Sequence, residues 1–373
     1  MKRLLLVAPL DSGLLGVGRI PVDLTVLQTA ERVTDHQRAL ARVVVTDDFL
    51  AEARRLHAER PFDGVLAMNE HFLLDAGLIA DDLCIAGTSR EVVRNAMDKS
   101  ASRRLAEGTG LANPRYRVVR SAEDLASGYE HVGFPCVAKP LDKAGSEDVR
   151  ILHAPADRDV PVLLEEYVGG TEFCVDALSR DGVHDVLPIA ARTTRDCVEL
   201  AHDMPADLPE ETVLEVHAAI GELLDAIGYR SGASHTEFKI DRGRLWLIET
   251  HTRCGGDWLW EMAGLITGRF AQPAAVAALA GVPEPVWDPV AAAAAVEFLT
   301  APEGTVTGVS GLDAAAGMDG VVRAEFTVGV GDRVTALNGG NGRLGYVLTV
   351  ADTAREARER ARKAIEAVTV TVA

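Results

Sequence analysis

No run of apolar residues in the chain approaches the ~20 needed to cross a bilayer as a helix, so a membrane anchor is not expected. The one leader-like stretch, residues 4–10 behind Met1-Lys2-Arg3, stops at Asp11 without a small-residue cleavage site, and it reads as a buried first strand. Basic residues are scarce: 38 against 56 acidic ones leave a formal charge of −18. A surface that acidic repels phosphate backbones, which excludes nucleic acid and anionic membranes as expected partners. Any anionic ligand needs a local cluster of Lys, Arg and backbone amides. The five cysteines, Cys84, Cys136, Cys174, Cys197 and Cys254, show no C-x-x-C spacing. That excludes a disulfide framework or a cysteine zinc site and suits a reducing, cytoplasmic setting. What is present is ordinary globular material, 47% hydrophobic and 25% charged over 373 residues, enough for a large core and more than one domain.

The first ~95 residues alternate apolar segments that read as strand 4–8, helix 22–32, strand 42–46, helix 48–59 and strand 64–68, an order that favours a parallel sheet. Glycines 13, 16 and 18 are spaced G-x-x-G-x-G, and no acidic residue closes a second strand as a dinucleotide site requires. A nicotinamide dehydrogenase is therefore disfavoured, and the glycines read as a turn beside a ligand groove. A helical stretch over 89–110 follows. After Pro114 come short strands at 116–119, 134–139, 149–152, 162–167 and 172–178, punctuated by prolines as in a small α+β module. Helix 210–227, strands 235–241 and 244–249, a helix from 257, strands near 296–300, 321–330 and 345–350, and a closing helix 353–368 complete the reading. Alanine-rich patches at 271–280 and 291–295 read as tightly packed helix or strand.

Four segments carry chemistry. They are Asp98-Lys99 at a helix start; Cys136-Val137-Ala138-Lys139-Pro140 followed by Gly145-Ser146; Glu165-Glu166-Tyr167-Val168-Gly169-Gly170-Thr171-Glu172; and His235-Thr236-Glu237 with Glu249-Thr250-His251-Thr252-Arg253-Cys254-Gly255-Gly256-Asp257. A lysine ending an apolar strand points a fixed ammonium into a cleft, and a Gly-Ser loop lays backbone N–H groups over phosphates. Glu165 and Glu172 bracket a Gly-Gly turn, which places one for a nucleobase amine and the other for ribose hydroxyls. Glu237 and Glu249, on strands joined by a tight turn, offer the hard oxygens magnesium needs. Arg253 offers a planar fork for phosphate or carboxylate. Singly these are common surface features; their order along the chain is what carries weight.

That ordered set resembles the ATP-grasp superfamily, specifically its carboxylate–amine ligases such as the bacterial L-amino acid ligases (dipeptide synthetases), across essentially the whole chain. The resemblance implies an ATP-grasp fold, mixed α/β and α+β. It would comprise a parallel α/β pre-ATP-grasp domain over 1–95, a catalytic region over 96–290 with a nucleotide-covering subdomain at about 115–178, and the C-terminal part of the large lobe over 291–373. It implies that Lys99 and Lys139 contact ATP phosphates and that Gly145-Ser146 form a mobile lid. Glu165, Glu166 and the Val168 backbone would meet adenine, and Glu172 would hold ribose. Glu237 and Glu249 would bind Mg²⁺, with Mn²⁺ as an alternative, while Arg253 and Lys139 would be catalytic. His251, Arg253, Gly255, Gly256, Asp257, His202 and Arg192 are candidates to face substrate, with Arg195, Trp258 and Trp260 further pocket candidates. Cys254 has no evident base. Two positions depart from the family pattern. Asp148 stands where a second lid glycine is usual, with Lys143 nearby to supply charge, and His251 stands where the last metal ligand is commonly Asn. Imidazole is a softer ligand than magnesium favours.

The implied reaction activates a carboxylate as an acyl phosphate at the expense of ATP, releasing ADP and phosphate as an amine is joined to it. An amino acid or small peptide acid is the expected acid and an amino acid the expected amine. A biotin-carboxylase-like or purine-pathway ligase acting on a small acid, and an ATP-binding protein without turnover, are the other readings. Dimerisation is common among similar enzymes, which makes a homodimer the default expectation.

Overall fold

The computed structural model describes residues 1–141 and 145–373; Lys143, assigned a compensating charge above, lies outside them. The chain opens with a parallel sheet in the spatial order Arg42–Val45, Val22–Gln28, Lys2–Val7, Gly64–Ala67. Residues 22–28 are thus a strand, not the helix expected from their pattern. The sheet is covered on both faces, so Leu24 and Val26 bury on one side and Leu27 on the other, giving the strand the dense apolar content of a helix. The connection before it consists of single 3-10 turns over Asp11–Leu14 and Val17–Arg19, with Gly16 (φ 71°) packed against Trp287. Helices Phe49–Glu59 and Leu73–Leu83 cover one face of the sheet. Helix Ala271–Ala280, far along the chain, covers the other through Val276, Ala277 and Ala280.

The helical stretch after residue 89 breaks into Arg90–Met97 and Lys99–Leu105. Asp98 causes the break: its carboxylate accepts from the N–H groups of Ser100 (2.8 Å) and Ala101 (3.1 Å), which caps a new helix and starts it at Lys99. A small antiparallel sheet follows, ordered Tyr116–Val119, Val162–Glu166, Cys136–Pro140, Arg150–Leu152, with helix Leu125–Val132 packed on it. That helix interrupts what the sequence suggested was a run of strands.

The largest sheet is antiparallel. Its order is Arg244–His251, Gly232–Asp241, Thr171–Arg180, Ala190–Arg195, Val198–Met204, Ala293–Thr300, Arg343–Ala351, Val321–Phe326. Helix Glu210–Ile227 packs its Ile220, Leu223 and Leu224 side against Phe173, Phe238 and Leu247. Helices Leu259–Thr267 and Ala271–Ala280 cover the opposite face. The closing helix Ala354–Glu366, capped by Thr353, packs its alanines on Ala293 and Ala295.

The Gly-Gly turn before Glu172 requires its second glycine. Gly170 has φ 79°, and a Cβ there would lie 2.1 Å from the Ile240 carbonyl oxygen. Gly170→Ala therefore has to push the turn away from the Gly232–Asp241 strand. We expect a loss of at least about 2 kcal/mol in urea unfolding. An unchanged midpoint would show that the two backbones do not touch.

Candidate active site

A cleft of about 220 Å³ lies between the small sheet and the large one, lined by Lys99, Lys139, Gly145, Ser146, Glu172, Glu237 and Glu249. Strand pairing assembles its acidic floor. Gly232–Asp241 and Arg244–His251 run antiparallel with Glu237 directly opposite Glu249, and the register slips only after that pair. Glu237 receives both arms of the Arg192 guanidinium, at 2.6 and 2.8 Å, with His235 Nε2 at 3.4 Å. Glu249 lies 3.4 Å from Lys99 Nζ and 3.1 Å from His251 Nε2. Burial alone would raise both carboxyls. Arg192 nevertheless holds Glu237 down to about 2, and Lys99 with His251 holds Glu249 well below the usual range. Two ionised, converging carboxylates are a donor set that fits a hard divalent cation.

Arg192, expected to face substrate, is instead a buried hub beneath the floor. Besides Glu237 it pairs with Glu172 at 2.8 Å and with Glu199 at 3.2 Å. Glu199 had no sequence signal; it lies on the next strand and accepts the Ser146 hydroxyl at 3.1 Å, linking the Gly145-Ser146 loop to this cluster. The loop has a left-handed backbone at both Ser146 (φ 59°) and Asp148 (φ 56°), a conformation that glycine adopts most readily and aspartate tolerates.

Lys139 reaches the cleft as expected, but Glu165 does not present its carboxylate to a base. That side chain is buried between Lys139 Nζ (2.6 Å) and the fully buried Arg103 (2.7 Å), and these two cations hold it at about 2 against the effect of burial. Glu166 pairs with Arg115 at 3.0 Å and lies outside the cleft lining. The Val168 carbonyl accepts from Lys239 Nζ at 3.2 Å. The apolar wall comes from Val137, Ile151, Tyr167 and Ile248.

A second cavity, about 440 Å³, adjoins the first across Lys99 and is lined by Glu70, Arg94, Arg120 and His251. Glu70, from the first domain, accepts from Arg253 Nε and sits 3.1 Å from His251 Nδ1. Its carboxyl is held at about 2 despite burial, chiefly by His251. Burial disfavours the imidazolium of His251, but Glu249 and Glu70 outweigh it and raise the ring to about 9. His251 is thus a cationic bridge between two carboxylates. Burial pushes the neighbouring Cys254 thiol up to about 12, which disarms it as a nucleophile.

A third cavity, about 420 Å³, includes Gly256, Asp257, Trp258, Trp260, Phe298, Arg343 and Tyr346 in its lining. The Gly255 N–H donates to both oxygens of Asp176, at 3.0 and 3.1 Å, and Asp257 is held by both arms of Arg343 at 2.7 and 2.9 Å. His202 is buried 3.6 Å behind Asp257 and does not line the cavity. Arg195 is exposed on a strand end and lines none of the three.

A family model for the ATP-grasp domain matches residues 158–261, and one for L-amino acid ligase C-terminal domain 2 matches 297–373. A D-alanine–D-alanine ligase of Anaeromyxobacter dehalogenans is 30% identical over 238 residues, covering 57% of this chain and 76% of that protein. The chain belongs to the ATP-grasp carboxylate–amine ligases. This ligase is also 24% identical to the alanine–anticapsin ligase of Bacillus subtilis over 236 residues, 54% of this chain and 49% of that one. Its fold matches the L-amino acid ligase of Bacillus licheniformis, with a TM-score of 0.83 at 22% identity, covering 100% of this chain and 99% of that one. The 158–261 match spans Glu165, Glu172, Arg192, Glu199, Glu237, Glu249 and Arg253. Members of the family use ATP, typically with a divalent metal.

The Glu165 pairing in this ligase has a measurable acid signature. Its carboxyl is depressed from 4.5 to about 2 on folding, so the resulting stability is complete above about 4.5 and is lost as pH falls towards 2. Glu165→Gln should destabilise the protein by roughly 3 kcal/mol at pH 7, and urea titrations stepped down in pH should show the gap from wild type narrowing below 4.5. A constant gap would mean that the cations do not hold this carboxyl.

Proposed function

We propose that this ligase joins the carboxylate of an amino acid or small peptide acid to the amine of a second amino acid, through an acyl phosphate, with release of ADP and phosphate. The observation that carries the reading is the meeting of compartments. The nucleotide cleft and the second cavity share Lys99, whose ammonium lies 3.4 Å from Glu249. With ATP in the first compartment, the second and third cavities are places for reactants. Trp258, Trp260, Phe298 and Tyr346 give the third an aromatic lining suited to an apolar side chain. Arg94 and Arg120 face the second, and among the described residues neither has an ion-pair partner, which suits a substrate carboxylate. The amino-acid character of the reactants is further supported by the relatives' own names.

In this reading a carboxylate oxygen attacks the γ-phosphorus, the bond to the β-phosphate oxygen breaks, and ADP departs. The amine then attacks the acyl carbon, its proton is lost, and the tetrahedral oxyanion collapses with expulsion of phosphate. Lys99 and Lys139 neutralise the triphosphate, and Arg253 offers its remaining N–H groups to the transferring phosphoryl group and then to the oxyanion. Glu237 and Glu249 would hold Mg²⁺, which supplies neutralisation of phosphate charge when bound. The loop bearing Ser146 shields the acyl phosphate from water.

The test is ADP and phosphate release from ATP and Mg²⁺ against pools of amino acids, with product masses recorded in parallel. Amino-acid-dependent ADP and a product equal to two reactants minus water are expected, whereas AMP and pyrophosphate would sink the acyl-phosphate route. Glu249→Ala should lower turnover by at least about 10²-fold with the melting transition retained. Full activity in that variant would remove Glu249 from the metal site.

A further inference from the structure

The loop carrying Gly145 and Ser146 is gripped by a part of the chain that supplies nothing to the nucleotide cleft. Residues 338–341 form a glycine turn closed by mutual backbone hydrogen bonds between Asn338 and Asn341, both 3.2 Å. The Asn338 side-chain oxygen accepts the Asp148 backbone N–H at 2.9 Å, and its amide nitrogen donates to the Asp148 carboxylate at 3.1 Å. Arg150 reaches the same Asn338 oxygen at 3.5 Å, and Arg158 donates to the Asp148 carbonyl at 3.1 Å. Gly339 completes the fit. With φ 57°, a Cβ there would fall 2.4 Å from the Gly145 carbonyl oxygen, so backbone lies directly on backbone.

We propose that Asn338 is a positioning residue that latches the 145–149 loop over the nucleotide cleft, with Asp148 as its partner; this rests on the cleft being the ATP site. An amide is the side chain suited to the task, since it offers one acceptor to the N–H and one donor to the carboxylate of the same residue. A loop already docked loses less freedom when nucleotide arrives, so the latch tightens nucleotide binding and keeps water from the phosphates. It also accounts for an acidic residue in a phosphate-covering loop: the Asp148 carboxylate is engaged by Asn338, with Arg150 at 3.6 Å.

The experiment measures affinity for the non-hydrolysable analogue AMP-PNP with Mg²⁺ by calorimetry, together with ATP hydrolysis in the absence of substrates. Asn338→Asp sets two carboxylates against each other and should weaken binding about tenfold, with faster futile hydrolysis. Asn338→Ala removes both hydrogen bonds without repulsion and should lose about three- to fivefold. Asp148→Asn alone keeps both bonds but gives up the charge, for a loss of about two- to threefold. Combining Asp148→Asn with Asn338→Asp only exchanges amide and carboxylate, and should return the affinity of Asn338→Asp to within about threefold of wild type. A structural role confined to the C-terminal lobe would not be rescued from position 148. Wild-type affinity in Asn338→Asp and Asn338→Ala, or a double variant as weak as Asn338→Asp, overturns the latch. Failure of the wild-type protein itself to bind the analogue would instead overturn the nucleotide site.

Discussion

One buried guanidinium organises the centre of this enzyme. Arg192 lies within 3.2 Å of the carboxylates of Glu172, Glu199 and Glu237, which come from three different strands. It gives each of them a cationic partner away from water, where an unpaired buried charge costs several kcal/mol. The pattern repeats outward: Lys99 and His251 on Glu249, Lys139 and Arg103 on Glu165, Arg253 and His251 on Glu70. The site is charge-balanced before any ligand enters. In the proposed reaction nucleotide and metal would exchange partners within an existing lattice of charges, which would keep reorganisation small during phosphoryl transfer.

The parts of this lattice legible in the sequence were those written in short, ordered motifs. Lys139 closes an apolar strand, and Glu237 and Glu249 sit near the facing ends of two strands joined at Arg242-Gly243, so their nearness was legible; the bulge after Glu237 that sets the two directly opposite was not. Arg103, Glu70 and Glu199 were not, because each is a single charged residue whose meaning comes from a distant partner. Arg103 meets Glu165 across 62 positions, and Glu70 meets Arg253 across 183. No local pattern encodes such a meeting. The same limit explains Glu165, whose Glu-Glu motif does not show which way the first carboxylate turns.

Fold elements divide along a similar line. Amphipathic helices such as Glu210–Ile227 were read to the residue, since one exposed face gives a clean period. Strand Val22–Gln28 was not, because burial on both faces erases alternation. The strands over 183–204 escaped notice for another reason: they carry Arg192, Glu199 and His202, polar residues that a folded active site buries and a hydropathy pattern treats as loop.

The N-terminal sheet completes its core with a helix that begins at Ala271, and this orders events during synthesis. When the four parallel strands have left the ribosome, the face bearing Leu4, Leu6 and Val26 has Leu14, Val17 and Ile20 upon it but still lacks Val276, Ala277 and Ala280. At ~5–20 residues per second its covering helix follows roughly 10–40 s later. During that interval the nascent chain displays an apolar surface and an unpaired strand edge, the two features that recruit chaperones or a neighbouring copy. The sheet made first thus waits for a segment made some two hundred residues later, and yield in a foreign host depends on how that waiting face is shielded.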